Sequence, residues 1–309
     1  MEIQSKPSRI SIILAFAAIY IIWGSTYLGI KYAIQTIPPL LMSGVRYFIA
    51  GLTVYLISMA TGAQRPTRMH WKNTAIIGAL LLLMGNGGVA MAEKLIPSGI
   101  AALIVCSVPI WFALFGWLFF KKGKPALRTI SGIVLGFIGI IVLVGPGNLM
   151  PGGTAVNLNG VIIITIGTIG WSMGSLFASK AELPSNHLTT TGMQMLCGGL
   201  LLIVAGLVKG EYSQFQWSEV SKNSLIAITY LIIFGSMVAF SAYSWLVRVS
   251  SPSLVSTYAY VNPVIAVFLG WLFLREPVDK YTIIGSAVIV GALILITTAK
   301  PIIIEEVPE

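Results

Sequence analysis

The sequence predicts an all-α integral membrane protein with ten transmembrane helices in two inverted five-helix repeats. Three observations point there. Of the 309 residues, 56% are hydrophobic and 9% are charged, whereas a soluble domain carries about 25% charged residues. Mean hydropathy is +0.90. Ten apolar stretches approach the roughly 20 residues that a helix needs to cross a bilayer, and a patterned segment of the first half returns in the second. This composition excludes a disordered chain and argues against a soluble enzyme; the main partner is the lipid bilayer.

In chain order the spans are expected at 10–30, 40–60, 74–92, 99–120, 129–144, 158–178, 190–208, 224–247, 254–274 and 281–298. The first is too long for a signal-peptide core, and no small-residue cleavage site follows it closely, so it reads as a retained span. The fourth and ninth each end at a charged turn, Lys121-Lys122 and Arg275-Glu276. The fifth and tenth are short. Between the fifth and sixth, the stretch Gly145-Pro-Gly-Asn-Leu-Met-Pro-Gly-Gly153 is rich in turn residues and forms the natural seam.

An even number of spans puts both termini on one side. With the N-terminus inside, the cytoplasmic segments hold twelve Lys and Arg residues and the opposite side six, with Arg46 left inside a span. The loop 121–128 is its strongest anchor. The expectation is a multi-pass protein of the cell (inner) membrane with both termini cytoplasmic. The net charge of +9 then serves membrane insertion rather than nucleic-acid binding, because the basic residues are scattered through short loops.

The repeat is specific. Pro109, Gly116, Trp117, Leu118 and Phe119 return as Pro263, Gly270, Trp271, Leu272 and Phe273 at an offset of 154. Trp23 corresponds to Trp171 at an offset of 148, which sets Arg46 opposite Gln194 and Gly51-Leu52 opposite Gly199-Leu200. The units are therefore 1–148 and 149–309, the second closing in a short acidic tail. Five helices is an odd number, so the second unit enters the membrane from the opposite side. Such inverted repeats characterise secondary transporters, whose solute site lies near the midplane between the halves.

These residues resemble the drug/metabolite transporter superfamily, in its EamA-domain branch of ten-helix carriers. The run from Pro263 through Gly270-Trp-Leu-Phe273 to Arg275-Glu-Pro277 is similar to the signature that ends the second EamA repeat. Ile22-Trp-Gly-Ser-Thr-Tyr27, Gly44-Val-Arg46, Gly85-Asn86-Gly87, Ala92-Glu93, Pro97-Ser-Gly-Ile-Ala-Ala102 and Tyr258-Ala-Tyr-Val-Asn-Pro263 resemble the YedA-type exporters within that branch. The similarity covers nearly the whole chain and implies export of amino acids, metabolites or drugs. One departure is Lys121-Lys122, where EamA repeats often carry a Gly-Glu or Arg-Glu turn.

Several residues could carry transport. Arg46 is the one charge well inside a span. Either it faces a cavity or partner, or it snorkels or bonds backbone carbonyls between helices. Gln194 is its polar repeat partner. Asn86, Ala90 and Glu93 share one helix face; Glu93 either binds an amine or a coupling proton, or is a solvated acid paired with Lys94. Tyr20, Trp23 and Tyr27 form a stripe, and Trp111, Trp171, Tyr243 and Tyr258 place further rings in other spans. Aromatic walls suit amphipathic or cationic solutes, although any single ring more commonly packs helices or lies at the interface. Asn262-Pro263 and Ser107-Val-Pro109 set helix-breaking prolines beside polar groups, as gating hinges or as static bends.

Other chemistry is missing. Asp279 is the only aspartate and lies in a loop. The chain has no phosphate-binding Gly-x4-Gly-Lys-Ser/Thr loop, and His70 and His187 are isolated from Cys106 and Cys197. No cofactor, metal or enzymatic activity is expected. The prediction is a secondary-active carrier that exports a small organic solute by alternating access, driven by a proton, another coupling ion or the solute gradient, as a monomer or homodimer. The alternative is a non-transporting membrane sensor or scaffold on a transporter-like fold.

Overall fold

The computed structural model describes residues 8–120, 127–144, 157–250 and 258–298. Their regular structure is all helical, with no strand among them. The expected seam at 145–153, the basic turn Lys121-Lys122 and the acidic tail lie outside the described residues.

Helix α1 spans Arg9–Ala33, with Ser8 capping its N-terminus. Helix α2, Pro39–Ala60, starts on a proline whose missing N–H costs nothing at that position. Helix α3, Arg68–Ala92, begins in a Thr67–His70 capping box. Helix α4, Ser98–Phe119, is interrupted after Val105 and resumes at Val108, just before Pro109. Helix α5 runs over Leu127–Val144. Helix α6, Leu158–Ala178, is capped by Asn157, and α7, His187–Val208, by Asn186. Helix α8, Lys222–Leu246, is capped by Ser221. Helices α9, Tyr258–Leu274, and α10, Lys280–Thr297, complete the described chain.

Among the described residues, seven helices (α1–α4 and α6–α8) are long and apolar enough to cross a membrane; α5, α9 and α10 hold shorter apolar runs. The exterior is greasy, with Ile13, Leu118, Phe119 and Phe273 all more than half exposed. Buried positions instead include Arg46, Ser58, Ser172, Thr191 and Gln194. This inversion of the soluble pattern is what a lipid solvent demands, and the chain is a multi-pass membrane protein.

Two helix pairs dominate the packing, α2 with α7 and α5 with α10. The α2–α7 crossing brings backbone against backbone. A Cβ on Gly51 would meet the Leu196 nitrogen at 2.5 Å, and one on Gly199 would meet the Phe48 nitrogen at 2.5 Å. These two glycines correspond at the repeat offset, so each half supplies the gap that the other fills. Without a hydrophobic drive between helices in lipid, such close approach is the main source of association.

Helices α3 and α8 share a further peculiarity. Each contains an eight-residue π-helical segment, Ala79–Asn86 in α3 and Leu231–Val238 in α8. π-Helical turns are rare and cluster at functional sites. Here both flank the centre of the molecule.

Candidate functional site

A narrow internal cavity of about 100 Å³ lies between the halves. Helices α1, α2, α3 and α4 contribute Trp23, Tyr27, Arg46, Asn86 and Pro109 to its wall; α6 and α9 contribute Trp171, Tyr258 and Asn262. Thr26, Tyr47, Thr168 and Cys106 also line it.

Arg46 is 3% exposed. Its Nε donates to Ser236 Oγ at 2.8 Å, and its guanidinium carbon sits 4.6 Å from the Tyr47 ring centroid. Gly235 makes this possible, because a Cβ there would come within 2.9 Å of Arg46 Nη2. The π-helical segment of α8 therefore builds the seat. Its Gly235 carbonyl also accepts from Trp23 Nε1 at 3.2 Å.

The corresponding segment of α3 behaves similarly. Gly85 and Asn86 line the cavity, and a Cβ on Gly85 would lie 3.0 Å from Trp171 Cε3. Trp23 of the first half thus rests on Gly235 of the second, and Trp171 of the second on Gly85 of the first. Asn86 Nδ2 donates to the Leu81 carbonyl five residues back, at 3.4 Å.

Aromatic rings close one side. Trp23 lies 5.1 Å from Tyr243 and 5.3 Å from Tyr258, the latter edge-on. Tyr243 is thus a ring behind the wall rather than part of it. With its amide nitrogen turned toward them, Asn262 donates to the Tyr258 and Tyr20 carbonyls, each at 3.2 Å. Pro263 sits inside an unbroken α9. The carbonyl it frees, Ala259 O, accepts from Cys106 Sγ at 3.0 Å. A buried thiol across the repeat boundary thus satisfies the group that proline orphaned.

Other sequence-predicted residues lie elsewhere. Pro263 faces an outer groove with Trp271. Trp111 bonds Ser107 Oγ through Nε1 at 3.2 Å and packs on Phe115 and Phe137, away from the cavity. Gln194 is buried, and its backbone oxygen lies where a Cβ on Gly78 of α3 would reach; it does not line the cavity. Glu93 is fully buried, so the solvated pair with Lys94 is not what the fold makes. Lys31 reaches in from α1 and donates to the Glu93 backbone carbonyl and, at 3.0 Å, to that of Ile96. Both Glu93 carboxylate oxygens lack a hydrogen-bond partner among the described residues. Burial pushes this carboxyl well above the ordinary carboxylate range, while Lys31 pulls the other way. Among the described residues, no group of three His, Cys, Asp or Glu side chains could hold a metal.

The residues missed from the sequence are Gly235, Ser236, Tyr47, Thr26 and Cys106. A Gly-polar pair at Gly85-Asn86 and again at Gly235-Ser236, beside tryptophans already paired by the repeat, was the available signal for two of them.

Comparison with known proteins agrees with this architecture. The model of the EamA-like transporter family matches residues 9–145 and 158–298. The chain is 40% identical over 287 residues, covering 93% of it and 90% of its relative, to the inner membrane transporter YedA of Escherichia coli (strain K12). It is 25% identical to the transporter YvbV of Bacillus subtilis (strain 168), covering 96% and 93% of the two chains. It is 26% identical to Protein PecM of Dickeya dadantii (strain 3937), covering 89% and 88%. One crystal structure shares the fold, with a TM-score of 0.62 at 19% identity, covering 93% of this chain and 96% of the other.

Proposed function

The chain belongs to the EamA-like transporter family, and from that premise we propose that it is a secondary-active carrier exporting small organic solutes by alternating access. One observation carries the reading. The central cavity is walled by both halves of the chain and contains a seated, buried arginine among aromatic rings. Paired halves rocking about such a site alternately expose it to the two faces of the membrane.

The same proposal covers ten spans in two inverted repeats, 1–148 and 149–309. Three features support it. The two stretches matched by the family model fall one in each half. The π-helical segments of α3 and α8 recur at an offset of 152, between the 148 and 154 of the sequence repeat. Helices α1 and α6 run in opposite directions. The C-terminal turn of α1 places Lys31 beside Ile96, whereas a Cβ at the N-terminal Gly160 of α6 would meet that same Ile96. The proposed topology has both termini cytoplasmic in the inner membrane, which sets Lys31, Glu93 and Glu276 toward the outer face. Pro109 and Pro263 are the proposed hinges.

The test is flux in proteoliposomes. Solutes enriched outside cells that overproduce the protein, relative to cells producing Arg46→Ala, are loaded into vesicles, and counterflow is measured. Saturable counterflow is expected. Flux that stays linear in solute concentration would exclude a carrier.

A further inference from the structure

We propose that the cavity selects solutes bearing a carboxylate beside an aromatic or other apolar body, and that Arg46 holds that carboxylate. The inference rests on the carrier reading and adds the substrate class. An aromatic wall alone would suit a cation, but the charges around it argue the reverse.

Arg46 is a buried cation on the cavity wall. Of the five N–H donors of its guanidinium, Nε alone has a hydrogen-bond acceptor among the described residues, Ser236 Oγ. None of the described carboxylates lies within 4.0 Å of it; the single pair within that distance is His70 with Glu182. The acids near the cavity are otherwise engaged or set back. Glu211 Oε2 accepts from the Leu40 and Leu41 nitrogens. Glu276 accepts from Ser98 and Gly99, and Asp279 from Thr282. Glu93 does not line the cavity and acts on Arg46 only from beyond contact distance.

A buried charge with no carboxylate in contact is costly, and the cost falls when a ligand supplies one. The planar fork of Arg matches a carboxylate with two parallel hydrogen bonds. An ammonium in the same space would meet a full like charge, which outweighs the attraction of the ring faces. Trp23, Tyr27, Trp171 and Tyr258 supply the apolar and stacking surface for the rest of the solute. The free space, about 100 Å³, restricts the solute to a small one.

The test uses the full-length protein in detergent with three matched probes, benzoate, benzamide and benzylammonium. Binding is read by quenching of tryptophan fluorescence, since Trp23 and Trp171 line the cavity. Benzoate is expected to bind saturably and about tenfold more tightly than benzamide, with benzylammonium weakest. Arg46→Gln should abolish the benzoate preference and leave benzamide binding in place, while Arg46→Lys keeps part of it. Comparing benzoate with benzamide on the unmodified protein needs no variant, so a misfolded Arg46→Gln does not spoil the test. Equal affinities, a preference for benzylammonium, or saturable binding of none of the probes would overturn the proposal. Counterflow of uncharged or cationic solutes with no benzoate preference would sink the charge inference and leave the carrier. Benzoate preference without saturable flux of any carboxylate would do the opposite.

Discussion

The two ends of the helix bundle are fastened differently. At the end where α1 meets α2 and α9 meets α10, carboxylates of the second half clasp helix N-termini of the first. Glu211 Oε2 accepts from the Leu40 and Leu41 nitrogens, both at 3.0 Å. Glu276 accepts from the Ser98 nitrogen at 2.8 Å, its hydroxyl at 2.9 Å and the Gly99 nitrogen at 3.2 Å. The backbone is bent to allow this. Arg275 takes a φ of 54°, a left-handed conformation uncommon outside glycine, and Gly270 leaves room for the Glu276 carboxylate. The repeated Gly and the Arg-Glu turn thus act as one device.

At the opposite end the links are neutral or wet. Ser58 and Thr189 share a hydrogen bond of 2.5 Å, and Asn73 donates to the Glu182 carbonyl at 2.9 Å. The His70–Glu182 pair spans 3.5 Å, with the Glu182 side chain 66% exposed. Anions at helix N-termini satisfy orphan N–H groups and face a favourable dipole, whereas exposed ion pairs contribute little. The halves are therefore gripped more tightly at the Glu276 end, which is the end the proposed topology places outside. A carrier that alternates has to release that grip at some stage of its cycle.

The largest expected effect comes from removing a clasp. Glu211→Ala should lower stability by about 2–3 kcal/mol, because two backbone donors lose a charged acceptor inside the protein. Denaturant unfolding in detergent measures this, and an unchanged midpoint would dissolve the contrast between the ends. Glu93→Gln should act in the opposite direction at neutral pH. A raised carboxyl pKa in the folded state means that stability falls as pH rises from the unfolded value, about 4.3, toward the folded one. The amide removes that loss, so a gain of about 1 kcal/mol is expected near pH 7, vanishing below about pH 4. A variant less stable at pH 7 would mean that Glu93 has a partner it needs. The smallest effect is expected at the other end, where His70→Ala should cost no more than about 0.5 kcal/mol. A larger loss in the same unfolding experiment would show that the exposed pair matters as much as the clasps.

Much of the fold was legible because lipid imposes a simple rule. Apolar runs long enough to span mark the helices, and α6 falls at 158–178 as expected. Arg46 stood out because a charge inside a span is expensive wherever it occurs. Trp23 and Trp171 stood out through the repeat. Glu93 was harder. A glutamate beside a lysine at a helix end looks solvated, and the lysine that does reach it, Lys31 at its backbone carbonyl, comes from 62 positions earlier. Gln194 was misleading for a related reason. Correspondence with Arg46 does not place it in the cavity, because the glycine seam draws α7 against α2. Glu276 showed only as part of a turn motif and Glu211 gave no signal, since the partners they clasp lie at least 170 positions away.

The paired π-helical segments carry a consequence for how this chain can change. A π-helical turn holds more residues than the α-helical turn it replaces, so each of 79–86 and 231–238 contains slack that an α-helix would not. Deleting one residue there would let the helix close up in ordinary register without breaking it. The parts of α3 or α8 on either side would then keep their facing, whereas the same deletion in an ordinary α-helix turns one side by about 100° relative to the other. Only the closed turn itself, with Asn86 or with Gly235 and Ser236, would be reshaped at the site while the span survived. Altered selectivity could thus arise through a one-residue length change in either segment as readily as through substitution of the lining side chains.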